Sequence, residues 1–173
     1  MRLIMAAELH HSFPPSIAPA AQVLILGSMP GMESLRRQQY YAHPRNAFWK
    51  IMGELVGFEA ALPYEERLLA LRKARIALWD TMAACHREGS LDSNIRDATP
   101  NDITGLLKDY PGIRLVLCNG TASYNALRRF FPSLPVPAMR LPSTSPAAAM
   151  YTYVEKREAW RKALREYLPH DRT

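Results

Sequence analysis

Cysteine is scarce in this 173-residue chain, which contains only Cys85 and Cys118. Neither belongs to a CxxC pair or stands at a metal-ligand spacing from a histidine, so the sequence offers neither a disulfide framework nor a zinc site. We therefore expect a reducing compartment, the cytoplasm, and no bound metal.

Long apolar runs and cofactor motifs are also missing. No stretch is long enough to span a bilayer, and His, Glu and Pro interrupt the N-terminal segment before a signal-length apolar core forms. We expect a flexible lead-in over residues 1–21, a single domain over residues 22–170, and no membrane partner. The absence of a GxGxxG fingerprint and of a Walker GK[ST] argues against a nucleotide cofactor and against a nucleotide-binding protein.

Positive charge is in excess in a composition that is otherwise typical of a globular domain. The chain is 48% hydrophobic and 22% charged, and its net charge is +6, with 17 of the 22 basic residues being Arg. Because the Arg fork donates bidentately to phosphate, a polyanionic partner is one interpretation. A genome that favours Arg codons is the other, and charge alone does not separate them.

Strand-like and helix-like segments alternate along the chain. Short apolar runs predict strands at residues 23–27, 76–79, 113–118 and 136–141, and helical spacing predicts helices at residues 47–56, 64–75, 101–108, 121–131 and 153–168. In the last helix, Val154, Trp160 and Leu164 are expected inward and Lys156 outward. Such alternation predicts an α/β fold, a three-layer α/β/α sandwich with a central, mainly parallel sheet of about four strands.

Most of the unusual polar residues follow the predicted strands. Because ligands bind outside the carboxyl ends of parallel strands, the loops over residues 27–46, 80–94, 119–125 and 142–150 should meet at one edge of the sheet. Gly27 and Gly31 would let backbone N–H groups approach an anion or a base, or would simply make a tight turn. Asn119 and Asn46 could read a base edge or could each cap a helix.

Three further features of these loops have two interpretations each. Tyr40 and Tyr41 could stack on a base or could be ordinary packing residues. The PSTSP run at residues 142–146 could contact phosphate or be plain loop composition. His43, before Pro44, could be structural or catalytic, and Asp80, His86 and Asp92 form no recognisable catalytic set in the sequence.

Three motifs together resemble the uracil-DNA glycosylase superfamily. GSMPG at residues 27–31 resembles its first motif, HPRNAFW at residues 43–49 resembles the HPxNxFW segment of its mismatch-specific uracil glycosylases, and LPSTSP at residues 141–146 resembles its second motif. The residues of these motifs are most similar to those of the hypoxanthine-DNA (DNA-deoxyinosine) glycosylase branch. The similarity extends from about residue 23 to the C-terminal helix.

The resemblance implies a monofunctional DNA glycosylase without metal or organic cofactor. Such an enzyme flips a deaminated base out of DNA, hydrolyses its N-glycosidic bond and leaves an abasic site for base excision repair. We expect a monomer that acts on the nucleoid in the cytoplasm. By motif position, the implied base-binding residues are Gly27, Ser28, Met29, Tyr41, Phe48 and Asn119, and the implied DNA-binding residues are His43, Arg45, Ser143, Thr144 and Ser145.

Met29 departs from the superfamily pattern, because many members place an Asp or Asn there to position the attacking water. In the hypoxanthine branch this duty moves to a later Asn, which by motif position is Asn46. An amide is not a strong general base, so this role implies a dissociative mechanism in which the site stabilises the leaving base. The alternatives are a uracil or mismatch-specific glycosylase, and a catalytically silent DNA-binding relative.

Overall fold

A parallel sheet of four strands lies at the centre of the protein, in a computed structural model that describes residues 8–168. Its strands, in spatial order, are β3 (Ile76–Asp80), β2 (Val23–Gly27), β6 (Leu115–Asn119) and β7 (Ala138–Leu141). Every residue of β2 and β6 is buried, as expected for apolar strands that are covered on both faces. The predicted α/β sheet is confirmed.

Helices cover both faces of this sheet and complete the three layers. They are α1 (Met32–Arg37), α2 (Phe48–Val56), α3 (Tyr64–Lys73), α4 (Ile103–Asp109), α5 (Thr121–Phe130) and α6 (Tyr153–Leu164). Alternate residues of β2 point to opposite faces, so Val23 and Ile25 pack with α2, α3 and α6, while Leu24 and Leu26 pack with α4 and α5. Among the described residues, no helix is long and apolar enough to cross a membrane.

A second, antiparallel sheet corrects the prediction of a flexible lead-in over residues 1–21. It consists of β1 (Leu9–His11), β4 (Met82–His86) and β5 (Arg96–Pro100), with β4 in the middle. Phe13 is buried in the main core, and Ser16 exchanges two backbone hydrogen bonds with Leu78. Residues 8–21 are therefore part of the fold, while residues 1–7 and 169–170 of the predicted boundaries lie outside the described range.

The C-terminal helix α6 faces the core differently from the prediction. Thr152 and Glu155 form a capping box that begins the helix, and Trp160 and Leu164 are fully buried, as expected. Lys156 is one turn before Trp160 on the same face, so it is buried rather than outward, and its Nζ donates to the Ser145 carbonyl at 3.1 Å. Val154 is on another face and is 54% exposed, contrary to expectation.

Candidate active site

A cavity of about 240 Å³ opens at the carboxyl edge of the parallel sheet. Residues from all four predicted segments, 27–46, 80–94, 119–125 and 142–150, contribute to it, which confirms the predicted convergence. Its lining contains most of the residues that the sequence analysis selected, namely Gly27, Ser28, Met29, Tyr41, His43, Asn46, Asn119, Ser143, Thr144 and Ser145. Arg45 is exposed and lies outside the lining.

The floor of the cavity is formed by Gly27, Tyr41 and Asp80. Gly27 pairs with Asp80 in the parallel register of β2 and β3, which brings the ends of both strands to the same level. A Cβ atom at position 27 would collide with Asp80 Oδ1 and would lie 3.2 Å from Tyr41 Oη. Glycine at position 27 is therefore required by the close approach of Asp80 and Tyr41, a reason that the sequence did not indicate.

Two side chains of the first motif shape the wall above the floor. The Ser28 hydroxyl donates to Asp92 Oδ1 at 2.7 Å, which ties this motif to the loop after β4. Met29 is 6% exposed and packs with Met82, Cys85 and Ala126 as well as lining the cavity. Met29 thus supplies an apolar wall.

Tyr41 places an aromatic ring in the floor from an uncommon backbone conformation, with φ of 55°. Its ring lies against that of Phe48 with the centroids 4.0 Å apart. Phe48 is fully buried and does not line the cavity, so the predicted direct contact between Phe48 and a base is wrong. Phe48 instead supports Tyr41 from behind.

The Tyr41 hydroxyl is buried and, among residues 8–168, forms no hydrogen bond of good geometry. Burial raises the pKa of this phenol, as does the nearby Asp80 carboxyl, while the Asn119 amide beside it opposes the shift. The phenol is consequently neutral, and its hydroxyl can both donate and accept a hydrogen bond.

Asn46 makes a hydrogen bond at the start of a helix, and it also lies where contact with a base would require it. Its Oδ1 accepts from the Phe48 N–H at 3.0 Å, directly before α2, and its own N–H donates to the His43 carbonyl at 2.9 Å. It also lines the cavity. The hydrogen bond to the helix terminus fixes the plane of the amide at the cavity wall, so capping and substrate contact are compatible.

Asn119 and Thr144 are bound to each other. Asn119 Oδ1 accepts from the Thr144 N–H at 2.9 Å, and Asn119 Nδ2 donates to Thr144 Oγ1 at 2.9 Å. Thr144 is 1% exposed although it lines the cavity, so its side chain serves the loop, and its predicted role in DNA binding stays a prediction. One donor and one acceptor site of the Asn119 amide hold this loop, which we call the Ser/Thr loop (residues 142–147).

The other hydroxyls of the Ser/Thr loop make local turns. Ser143 Oγ accepts from the Ser145 N–H at 3.1 Å, and Ser145 Oγ accepts from the Ala147 N–H at 3.2 Å. Because the oxygens are occupied as acceptors by the backbone, each hydroxyl hydrogen remains available as a donor. The carbonyl of Thr144 also accepts from the Ala47 N–H at 3.0 Å, which joins the loop to the start of α2.

Asp80 lines the cavity, although the sequence analysis placed it at the sheet edge without giving it a role. It is 3% exposed, and its Oδ2 is buried without a hydrogen-bond partner among the described residues. Burial raises its pKa to about 7, the negative charge of Asp92 adds to this effect, and the positive charge of Arg87 opposes it. The available signal was its position, since an acid directly after the apolar run of β3 must lie at the carboxyl edge of the sheet.

Arg87, which the sequence analysis missed, supports the first motif from below. Its side chain is 1% exposed, and its guanidinium donates to the Pro30 carbonyl. Its Nε and Nη1 have no partner in the part of the chain that the structure describes. Within the same range, no group of three or more His, Cys, Asp or Glu is arranged to hold a metal ion.

The sequence of this chain is similar to those of known DNA glycosylases. The family model of the uracil DNA glycosylase superfamily matches residues 14–168. The hypoxanthine DNA glycosylase of Methanosarcina barkeri is 44% identical over 113 residues, which are 64% of this chain and 71% of the relative. The hypoxanthine DNA glycosylase of Methanosarcina acetivorans is 44% identical over 109 residues, 62% of this chain and 69% of that protein.

A solved structure agrees with the fold. The solution NMR structure of a candidate uracil DNA glycosylase from Methanosarcina acetivorans superposes with a TM-score of 0.79 at 36% sequence identity. The alignment covers 92% of this chain and 99% of that one.

Proposed function

Because the chain belongs to the uracil DNA glycosylase superfamily and is a DNA glycosylase, we propose that it releases hypoxanthine from DNA that contains deoxyinosine. The reaction is hydrolysis of the N-glycosidic bond, and its product is an abasic site for base excision repair. The observation that carries this proposal is the meeting of the GSMPG, HPRN and PSTSP motifs around one cavity. Two relatives at 44% identity that are named hypoxanthine DNA glycosylases support the choice of base.

The size of the cavity suits one flipped base. At about 240 Å³ it is smaller than the clefts of about 300 to 1,000 Å³ that hold drug-sized ligands. A base inside a duplex cannot reach such a cavity, so it must leave the stack at a cost of a few kcal/mol. Contacts with the ring of Tyr41 and with the backbone of residues 27–29 would offset this cost.

Asn46 is our candidate for the residue that orients the attacking water. Its amide is held at the cavity wall by the hydrogen bond to the Phe48 N–H, and Met29 has no polar group for the task. An amide neither takes nor gives a proton at neutral pH, so the bond to the base breaks first and cationic character develops on the sugar. The water then adds to the sugar carbon from its fixed position, and the proton that it loses passes to the hypoxanthine anion.

Residues around the cavity are suited to bind the DNA backbone. The protein carries a net charge of +6, and His43 and Arg45 are exposed beside the mouth of the cavity. The free hydroxyl hydrogens of Ser143 and Ser145 are donors suited to phosphate oxygens. Met150, which is 81% exposed just beyond the Ser/Thr loop, is our candidate to fill the vacated stack. We propose that a monomer acts on the nucleoid in the cytoplasm.

Single-turnover base release tests this proposal. Matched oligonucleotides with one deoxyinosine, one uracil or one xanthine are incubated with the wild type, Asn46→Ala and the control Asn125→Ala, whose Asn is exposed on α5. We expect hypoxanthine release by the wild type and by the control, and a loss of about 100-fold or more in Asn46→Ala with DNA binding retained. Strand scission should require added alkali, because among residues 8–168 no lysine lines the cavity.

The other outcomes decide between the alternatives. Release of uracil without hypoxanthine would keep the superfamily and reject the base, a result that the solved relative described as a candidate uracil DNA glycosylase makes worth testing. Salt-sensitive DNA binding without release of any base would indicate a silent DNA-binding relative.

A further inference from the structure

The floor of the cavity contains a carboxyl oxygen that no described residue satisfies. Asp80 Oδ2 is buried and has no hydrogen-bond partner, although its residue lines the cavity. The Tyr41 hydroxyl on the same floor is also buried without a hydrogen bond of good geometry. Buried polar groups in folded proteins nearly always have partners, so the unpartnered Asp80 oxygen indicates that a ligand bound in the cavity supplies one.

We propose, on the basis of the function proposed above, that Asp80 is a catalytic residue that acts as a neutral carboxylic acid and donates a hydrogen bond to the leaving base. A neutral carboxyl carries one O–H donor and one C=O acceptor side by side. Hypoxanthine presents the matching pair on its lactam edge, the O6 acceptor beside the N1–H donor. The acid form of Asp80 can therefore engage both atoms at once.

The charge that develops during the reaction determines which form of Asp80 helps. When the glycosidic bond breaks, its electron pair stays with the purine, and negative charge spreads onto ring nitrogens and O6. A buried donor directed at that charge lowers the barrier, because it binds the departing anion more strongly than the neutral base. An ionised carboxylate in the same place would oppose the charge. Asp80 keeps its proton, and the proton that neutralises the hypoxanthine anion comes from the attacking water.

The groups that face Asp80 are consistent with an acid form near neutral pH. Asp92, in the short helix Asp92–Asn94, adds a negative charge, and the buried Arg87 guanidinium after β4 adds a positive one. The phenols that face the carboxyl belong to Tyr40, Tyr41 and Tyr64. Burial raises the pKa of each phenol, so all three are neutral in this range. With burial as the main cause, the pKa of Asp80 is raised to about 7.

The test is the pH dependence of single-turnover hypoxanthine release between pH 6 and pH 8 for the wild type, Asp80→Asn and Asp80→Ala. An amide keeps a donor and an acceptor side by side but does not ionise, so Asp80→Asn is the matched variant. We expect the wild-type rate to fall about tenfold across this range as the acid ionises, and the Asp80→Asn rate to stay level. Asp80→Ala should lose about 100-fold at pH 6, most of which Asp80→Asn should restore.

Each other outcome overturns the inference. A wild-type rate that rises through pH 7, together with an Asp80→Asn variant as slow as Asp80→Ala, would identify Asp80 as a general base. Wild-type and Asp80→Asn profiles of the same shape would reduce Asp80 to a structural role. In both cases the wild type still releases hypoxanthine, so the proposed function stands. A wild type that releases no base removes the proposed function and this inference together.

Discussion

The floor of the cavity and the Ser/Thr loop are both rich in polar groups, but they use them in opposite ways. In the loop, Asn119 and Thr144 satisfy each other, and the Ser143 and Ser145 oxygens accept from the backbone. In the floor, Asp80 Oδ2 has no partner among the described residues, and the Tyr41 hydroxyl forms no hydrogen bond of good geometry with them. Hydrogen bonds within the loop fix its shape, whereas the floor has hydrogen-bonding groups that a ligand can use.

This difference separates two kinds of contribution to one site. A paired polar group stabilises the fold, and its removal should cost stability first. An unpaired buried group costs stability in the free protein, and its removal should cost activity while leaving the fold as stable or more stable. Four measurements test this difference between the floor and the loop.

The largest expected effect is on stability at the floor. The folded protein binds the Asp80 proton more tightly than the unfolded chain, since its pKa is raised from 3.8 to about 7. Its contribution to the free energy of unfolding is therefore full below pH 4 and is lost as the pH rises through 7, about 3 kcal/mol of it between pH 5 and pH 8. Urea unfolding at both pH values should show this loss in the wild type and not in Asp80→Asn. Equal losses in both proteins would contradict the burial of an acid at this position.

The second prediction concerns the close packing around Gly27 in the floor. In Gly27→Ala the added methyl group would collide with Asp80 Oδ1 and crowd Tyr41, so hypoxanthine release should fall about 100-fold, or about 2.7 kcal/mol in the barrier. The matched control is Gly31→Ala, which also lines the cavity but whose methyl group would lie 3.4 Å from its nearest neighbour, Ser90 Oγ. If both variants lose activity equally, the close packing of the floor is not the cause.

The third prediction breaks the pairing of the Ser/Thr loop. Asn119→Ala leaves the buried N–H and hydroxyl of Thr144 without their partners, which should lower the free energy of unfolding by about 2 kcal/mol. In a protein of this size that corresponds to a melting temperature lower by about 4–8 °C. Thermal unfolding of the variant beside Asn125→Ala provides the measurement. An unchanged melting temperature would mean that the loop does not depend on this pair.

The smallest expected effect is at the outer face of the same loop. Ser143→Ala removes one local turn bond and one hydroxyl donor, so DNA affinity should fall about twofold to fivefold, less than about 1 kcal/mol. Equilibrium binding to an oligonucleotide at two salt concentrations measures this change, with the exposed Ser133→Ala as the control. A loss of 50-fold would show that the hydroxyl contributes far more than a single phosphate contact.

The elements predicted from the sequence share one property, which is that their signal is local. The apolar run of residues 23–27 and the helical spacing of residues 47–56 predicted β2 and α2 to within one residue. The strands that were missed depend on distant partners, since Leu9 pairs with His86 across the chain. No local pattern records such a pairing.

The candidate site shows the same division. Its motifs could be identified as short continuous segments of the sequence, and they meet around the cavity as expected. The state of each side chain was not visible, because it depends on contacts made after folding. Thr144 forms its hydrogen bonds with the amide of Asn119, 25 residues away. The environment of Asp80 depends on the register of β2 with β3 and on the position of Tyr41 near its carboxyl group.

Residues 13 and 14 belong to the smallest part of the protein that must be kept together for this site to form. Phe13 meets the ring of Tyr40 edge-on at 5.3 Å, and the Tyr40 hydroxyl donates to the Pro14 carbonyl at 2.8 Å. Tyr40 is covalently joined to Tyr41, so the segment before the parallel sheet braces the aromatic floor from outside. A graft of this site onto another scaffold, or a fusion that replaces the segment, must carry Phe13 and Pro14 along with the motifs.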